Sequence, residues 1–385
     1  MQEKKIRTMQ LISVRWWNAT AYYAISLAKV LNQAGHPAIV AGSGENPPLT
    51  QAKKQKLPIF GEINLESKNP LRLIDSYYKL KNFLQSNEIH ILNAHRPEDH
   101  LFGVVLSRRL EHIPLIRTIG DVRSPKNNPI NKWLHLKGTD FFIFSSIANK
   151  KRYQNIWPIR DQKCAVIYAP VDVQHFHFNL QNTKLREQIN IAKDKVVFGV
   201  IGRLSPVKDH KTFLRAAAIL HKKKPNTHFL ISGKSVEITH RELRDLARDL
   251  GIASCTHILD EMNDVRDAIS TVDVGVVSSN GSEAICRIAA EFMAMQKPVI
   301  ATGVNVLPEM ITDNLEGFIV PAQNPHKMAE KMELLASEKI LRIEMGKRAR
   351  KTAVNHFSQE TFLEKTIQVY HHVLENKRIA HGRKT

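Results

Sequence analysis

Short apolar runs alternate with helix-periodic stretches along most of the chain, and this alternation limits the fold more than any other feature. Ile6–Val14 predicts a strand, and Asn18–Gln33 a helix with Tyr22, Ile25, Leu27, Ala28 and Leu31 near helical spacing. Ala34-Gly35-His36 ends that helix, because glycine tolerates the left-handed cap conformation, and Ala38–Ala41 resumes as a strand. Strands follow at Ile89–Asn93, Leu115–Thr118, Phe141–Ser145 and Ala165–Tyr168, with a helix over Asp99–Leu110. A second series opens near Lys193. Its strands are Lys195–Ile201, His228–Ile231, Thr256–Leu259, Val272–Val277, Pro298–Ala301 and Gly317–Val320. Its helices are Lys211–His221, Arg241–Leu250, Asp264–Ser270, Ala284–Met295 and Pro325–Ala336. Such alternation implies right-handed crossovers and parallel sheets covered on both faces. Asp172–Asp194 is polar and aperiodic, and so reads as the connection between two doubly wound α/β domains, 1–178 and 179–358. The tail 359–385 reads as a helix. The two domains are expected to face each other across a cleft, with ligands at the carboxyl ends of the strands.

The charge balance narrows the partners. The net charge is +19, and residues 1–178 carry +12 of it, with 25 basic against 13 acidic residues. Such a field draws anions: phosphorylated substrates, nucleic acid or an acidic membrane face. No recognition helix, zinc spacing or interleaved aromatic-basic motif supports nucleic acid. Three cysteines (Cys164, Cys255, Cys286) make no disulfide framework and show no metal-ligand spacing, which favours a reducing compartment. No run is long and apolar enough to span a bilayer, and the first residues lead into a strand without a signal-peptide core. A cytoplasmic protein is expected.

The most informative segment is Ser278-Ser279-Asn280-Gly281-Ser282-Glu283-Ala284-Ile285-Cys286-Arg287-Ile288-Ala289-Ala290-Glu291. A strand runs into a polar loop that opens a helix. A helix start offers unpaired N–H groups and the positive dipole end, a natural phosphate site. Glu291 follows Glu283 by eight residues and is expected on nearly the same helix face. Taken alone, Glu283 reads rather as a first-turn helix acid and Glu291 as a solvated one. Val200-Ile201-Gly202-Arg203-Leu204-Ser205-Pro206-Val207-Lys208-Asp209 places two cations after another strand.

Read onward through Phe292-Met293-Ala294 and Pro298-Val299-Ile300-Ala301-Thr302, the first segment resembles the signature of the family 4 (group 1) glycosyltransferases, which have the GT-B fold of two Rossmann-like domains. The resemblance implies that Glu283 contacts the donor sugar near the reacting centre. It implies that Ala284, Ile285, Cys286 and Arg287 cradle the donor phosphates, and that Glu291 holds the ribose hydroxyls. Gly202-Arg203 and Lys208 match the family's Gly-Arg and following Lys, which neutralise the leaving diphosphate; fixed cations lower the barrier for such charge development. Ser232-Gly233 resembles the loop beside the nucleotide base. The family often has glycine at the position of Asp209.

The first half departs from the family pattern. Arg15-Trp16-Trp17-Asn18 stands where the family has a Gly-Gly loop, and Trp faces stack well on sugar rings, although core packing is an equal alternative. Gly120 occupies the position of the family histidine, leaving Asp121 and Arg123 as replacements. His95 and His100 follow a strand end and are expected to face the cleft, where a histidine orients a hydroxyl or phosphate; structural or capping roles are equally open. The resemblance implies a retaining transferase that uses a nucleotide sugar as substrate, with no cofactor and no metal. The acceptor is expected to be a lipid-linked or anionic glycan, reached by peripheral contact with an anionic membrane on its inner face, in lipopolysaccharide or other surface-glycan synthesis. An epimerase or phosphorylase of the same fold, or an inactive sugar-nucleotide-binding relative, stands as the alternative.

Overall fold

The structure is a computed structural model and describes residues 5–178 and 184–382. The chain divides into two compact units, one of Met1–Pro170 with Gln359–Thr385 and one of Val171–Ser358. Among the described residues the first unit opens β1 (Thr8–Leu11), α1 (Ala19–Gln33), β2 (Ala38–Ala41), α2 (Pro47–Lys54), β3 (Ile59–Phe60) and α3 (Pro70–Ser86). It continues β4 (Ile91–Ala94), α4 (Pro97–Arg109), β5 (Leu115–Ile119), α5 (Pro129–Leu136), β6 (Phe141–Phe144), α6 (Ile147–Gln154) and β7 (Cys164–Val166). Its sheet runs β3-β2-β1-β4-β5-β6-β7 and every pairing is parallel. β1, β4, β5 and β6 are buried at each position, as a parallel sheet covered on both faces requires.

The second unit comprises α7 (Lys184–Gln188), β8 (Val196–Ile201), α8 (His210–Lys223), β9 (Thr227–Ser232), α9 (His240–Asp249), β10 (Thr256–Leu259) and α10 (Val265–Thr271). Then come β11 (Val274–Val277), α11 (Arg287–Ala294), β12 (Val299–Thr302), α12 (Leu307–Met310), β13 (Gly317–Val320), α13 (Pro325–Ser337) and α14 (Lys339–Phe357). The sheet order is β10-β9-β8-β11-β12-β13, again parallel. The order reverses beside β1 in one sheet and beside β8 in the other, so loops after these strands sit where open sheets bind ligands. The last helix, α15 (Gln359–Gly382), belongs to the first unit.

Helix starts follow local chemistry. Asn18, Asn69, Asn128, Ser146, Asp209 and Asn324 each accept a first-turn N–H, and Thr239 with Glu242 forms a reciprocal capping box. Gly35, at φ +81, follows α1 as the left-handed residue that the sequence called for.

The stretch expected as a polar connection is partly packed. Val171, Val173 and Phe176 are buried. The guanidinium of Arg350 donates to the carbonyls of Phe176 (2.7 Å) and Val173 (2.9 Å). Residues 171–178 therefore lie with the second unit. Residues 179–183 of that stretch lie outside the described residues.

Candidate active site

In the second unit the loops after β8 and β11 are tied together. Asn280 donates its backbone N–H to the Val207 carbonyl (3.0 Å) and its side chain to that of Pro206 (3.2 Å), and the Ser278 hydroxyl donates to the Lys208 carbonyl (2.7 Å). The Thr302 hydroxyl donates to the Ser279 carbonyl, and Val306 N–H donates to the Glu283 carbonyl. These bonds bring the Lys208 ammonium to 2.5 Å from Glu283 Oε1, and the Ser279 hydroxyl donates to the same oxygen at 2.6 Å. The Lys208 side chain is 20% exposed and that of Glu283 5%. Burial works against the Lys208 charge, but the Glu283 carboxylate outweighs it and holds the ammonium above its ordinary value. The Cys286 thiol is buried beside them; burial, and then Glu283, push it well above the usual thiol range.

Arg203 is exposed and makes no ion pair or hydrogen bond among the described residues. It lies close enough to Lys208 for its charge to oppose that of the ammonium. The site thus offers a free guanidinium and an ammonium anchored by a buried carboxylate, at the carboxyl end of a parallel sheet. This arrangement stabilises negative charge developing on a bound group. Among the described residues, no three His, Cys, Asp or Glu side chains are grouped to hold a metal ion.

Two local expectations are corrected. The helix expected from Ala284 begins at Arg287, with Cys286 as its N-cap. Ser282 is left-handed at φ +52, and the anchors at Ser279 and Val306 hold the segment as a loop. Glu283 is therefore not helical and shares no helix face with Glu291. Ala284 and Cys286 are buried and Ile285 half-buried in that loop. Glu291 is buried on α11, with its carboxylate 3.2 Å from the Arg287 guanidinium.

Gly202 and Gly233 adjoin. Gly202 takes φ +147 and donates its N–H to the Ser232 carbonyl, and a Cβ on Gly233 would lie 1.9 Å from the Gly202 carbonyl oxygen. The Ser232 hydroxyl donates to the Asp260 carbonyl (2.9 Å). Two residues without a role in the sequence reading stand beside these loops. His240 Nε2 is 2.9 Å from the Gly233 carbonyl. His210 is fully buried, neither of its ring nitrogens has a partner, and burial and then Lys208 lower it to about 4.

In the first unit, Trp16 (59%) and Trp17 (37%) are exposed rather than packed in the core. Asn18 caps α1, accepting from Ala21 N–H at 3.0 Å. His95 and His100 are interior, so of the two readings left open the structural one holds and the cleft-facing one does not. His95 Nε2 meets Gln10 Oε1 at 3.0 Å, and burial, then Arg117, lower it to about 3. His100 lies on the buried side of α4, 2.7 Å from the Thr139 hydroxyl and in edge contact with His135. Asp121 is paired with Arg123, whose backbone and side chain both donate to it. Arg117, unread as a site residue, is buried on β5 and donates to the carbonyls of Ala94 and Thr118. A lone Arg inside the apolar strand Leu-Ile-Arg-Thr-Ile was its signal.

The family described as glycosyltransferase family 4 matches residues 20–175, and that described as glycosyl transferases group 1 matches residues 181–352. The chain is 26% identical over 338 residues to the capsular polysaccharide biosynthesis glycosyltransferase CapM of Staphylococcus aureus, covering 84% of each. It spans about 60% of the length of the D-inositol 3-phosphate glycosyltransferases it also matches. Among solved structures, a glycosyltransferase from Rickettsia africae superposes with a TM-score of 0.86 at 20% identity, over 97% of this chain and 100% of that one. Anabaena HepE in complex with UDP does so with 0.82 at 18%, over 95% and 99%. With two parallel α/β sheets of matching order and family matches over both halves, the chain belongs to the group 1 glycosyltransferases and has the GT-B fold.

Proposed function

We propose that this glycosyltransferase moves a sugar, with retention, from a nucleotide-sugar donor to a lipid-linked or glycan acceptor in bacterial surface-glycan synthesis. The observation that carries the reading is the Lys208–Glu283 pair beside the unpaired Arg203. Arg203 and Lys208 take the charge of the departing diphosphate, which lets the reaction run without a divalent cation. Glu283, whose position the Lys208 ammonium and the Ser279 hydroxyl fix, contacts the donor sugar. Ala284, Ile285, Cys286 and Arg287 line the phosphates, and Glu291 binds the ribose. The acceptor hydroxyl attacks the anomeric carbon from the leaving-group side and gives its proton to the departing phosphate oxygen, so no protein base is required. The capsule-synthesis name of CapM supports a surface glycan as product.

A screen of UDP-, GDP- and ADP-sugars for thermal stabilisation identifies the donor, since a ligand that binds only the native state raises Tm. The expected product is a glycoside of unchanged anomeric configuration with release of free nucleoside diphosphate, at the same rate in EDTA. Undiminished turnover by a Glu283→Ala variant would overturn the site assignment.

Contact with the inner face of the cytoplasmic membrane has its own support. No described helix is long and apolar enough to cross a bilayer. Ile130 and Trp133 of α5 stand exposed, and the Arg108 guanidinium lies 4.5 Å over the Trp133 ring. Lys132, Lys137 and Arg109 are exposed near them in the sequence. Each cation near an anionic surface contributes about 1 kcal/mol. The protein is expected to sediment with phosphatidylglycerol vesicles and to leave them as salt rises; binding indifferent to salt, or none, would refute the contact.

A further inference from the structure

The first unit contains an open cavity of about 350 Å³, within the size range of small-molecule sites. It lies among the loops after β1, β3 and β4. Val14 and Leu65 are apolar, buried parts of its lining, and the exposed indole of Trp16 forms part of it. The polar lining is two ion pairs and Ser67. Arg15 Nε is 2.9 Å from Glu66 Oε2, a closed pair. Arg96 Nε is 3.7 Å from Glu98 Oε2, too far for a hydrogen bond, and both atoms are buried without a partner. A buried donor and acceptor left apart are costly unless a third group joins them.

The four charges sum to zero, although the unit around them is strongly basic. A phosphate or carboxylate entering here would meet two carboxylates as well as two guanidinium groups. An uncharged polyol meets no such conflict. Each hydroxyl both donates and accepts, so one placed between Arg96 and Glu98 would satisfy both through charge-assisted bonds. The Trp16 indole supplies a flat face for the apolar side of a ring. We propose that this cavity binds an uncharged pyranose, the sugar of the acceptor to which transfer occurs, while any anionic part of the acceptor lies outside it. The inference rests on the transferase reading and names the acceptor class at that site.

The test uses the full chain and saturation-transfer NMR with the methyl glycosides of glucose, galactose, mannose and N-acetylglucosamine. Glucose 6-phosphate and glycerol 3-phosphate serve as charged comparisons. At least one neutral glycoside is expected to bind. Trp16→Ala and the near-isosteric Glu98→Gln are each expected to weaken that binding about tenfold or more, with UDP-sugar thermal stabilisation unchanged. Binding of the phosphorylated probes alone, binding untouched by both variants, or no binding of any probe would overturn the proposal. Failure of the transferase reading looks different: no nucleotide sugar raises Tm, whatever the glycosides do.

Discussion

Lys208 and Glu283 are held as a unit, so single substitutions carry two consequences. Lys208→Ala removes a cation from the site and strands a buried carboxylate. A loss of kcat/KM of about 10²–10³-fold is expected, the scale for deleting one preorganised electrostatic partner. A fall in stability of about 1–3 kcal/mol should accompany it, the cost of an unsatisfied buried group. The double variant Lys208→Met with Glu283→Leu separates the two: denaturant unfolding should show the stability largely restored, and assays should show kcat/KM reduced at least as far as in Lys208→Ala. Gly233→Ala tests backbone contact instead. Its Cβ would meet a backbone oxygen that no rotamer change can move, so urea unfolding should show a loss of at least about 2 kcal/mol. That Arg203, Lys208 and Glu283 lie together was legible because each stands in a motif of fixed length; the helix face expected to join Glu283 to Glu291 was not there, because α11 starts only at Arg287. Ser279, which anchors the Glu283 carboxylate, was not, because a serine in a polar loop carries no periodic signal. The sequence left His100 between two readings because a strand end says where a chain emerges, not which side of the next helix is buried.

At the scale of elements, the departure at Asp209 has a physical account. The residue is left-handed at φ +46, a conformation that favours glycine. Its carboxylate also caps α8, accepting from Thr212 N–H and from the Thr212 hydroxyl. Asp209→Gly keeps the backbone at ease and loses only the cap, so a cost of a few tenths of a kcal/mol is expected. Asp209→Val loses the cap and adds left-handed strain, about 2–3 kcal/mol together. Equal Tm values for the two variants would contradict this assignment. Elements with long apolar runs, such as β8, β9 and β11, were readable. β3 has two residues and no periodicity to read. α3 buries only Ser76, Leu80 and Leu84, and exposes enough apolar surface to blur its stripe. α11 began late because tertiary anchors on its preceding loop outweighed local helix preference.

For the whole molecule, buried histidines set the response to acid. Burial lowers His95 to about 3 and His135 and His210 to about 4, and holds His100 well below its ordinary value. The folded state refuses protons that the unfolded chain accepts below about pH 6.5. The stability they contribute is therefore complete above pH 6.5 and is lost as pH falls toward 4. Asp99 acts in reverse. Burial raises its carboxyl to about 6, so between 6 and 4 the folded state binds a proton the unfolded chain does not. One such group against four leaves a net loss, and calorimetry should show Tm falling from pH 6.5 to 4.5. A Tm that held steady or rose would count against the burial of these rings as described.

The first unit is assembled from the two ends of the chain. On the sheet, Gln10, Asn93 and Thr118 form a buried chain of hydrogen bonds that reaches the Tyr370 hydroxyl of α15, and Phe362 packs edge-on to Tyr23. During synthesis the ribosome must therefore make the whole of Val171–Ser358 before the piece that closes the opening strands emerges. Until then the first unit has all seven of its strands but not the Tyr370 hydroxyl and the Phe362 ring that Gln10 and Tyr23 meet in the finished fold.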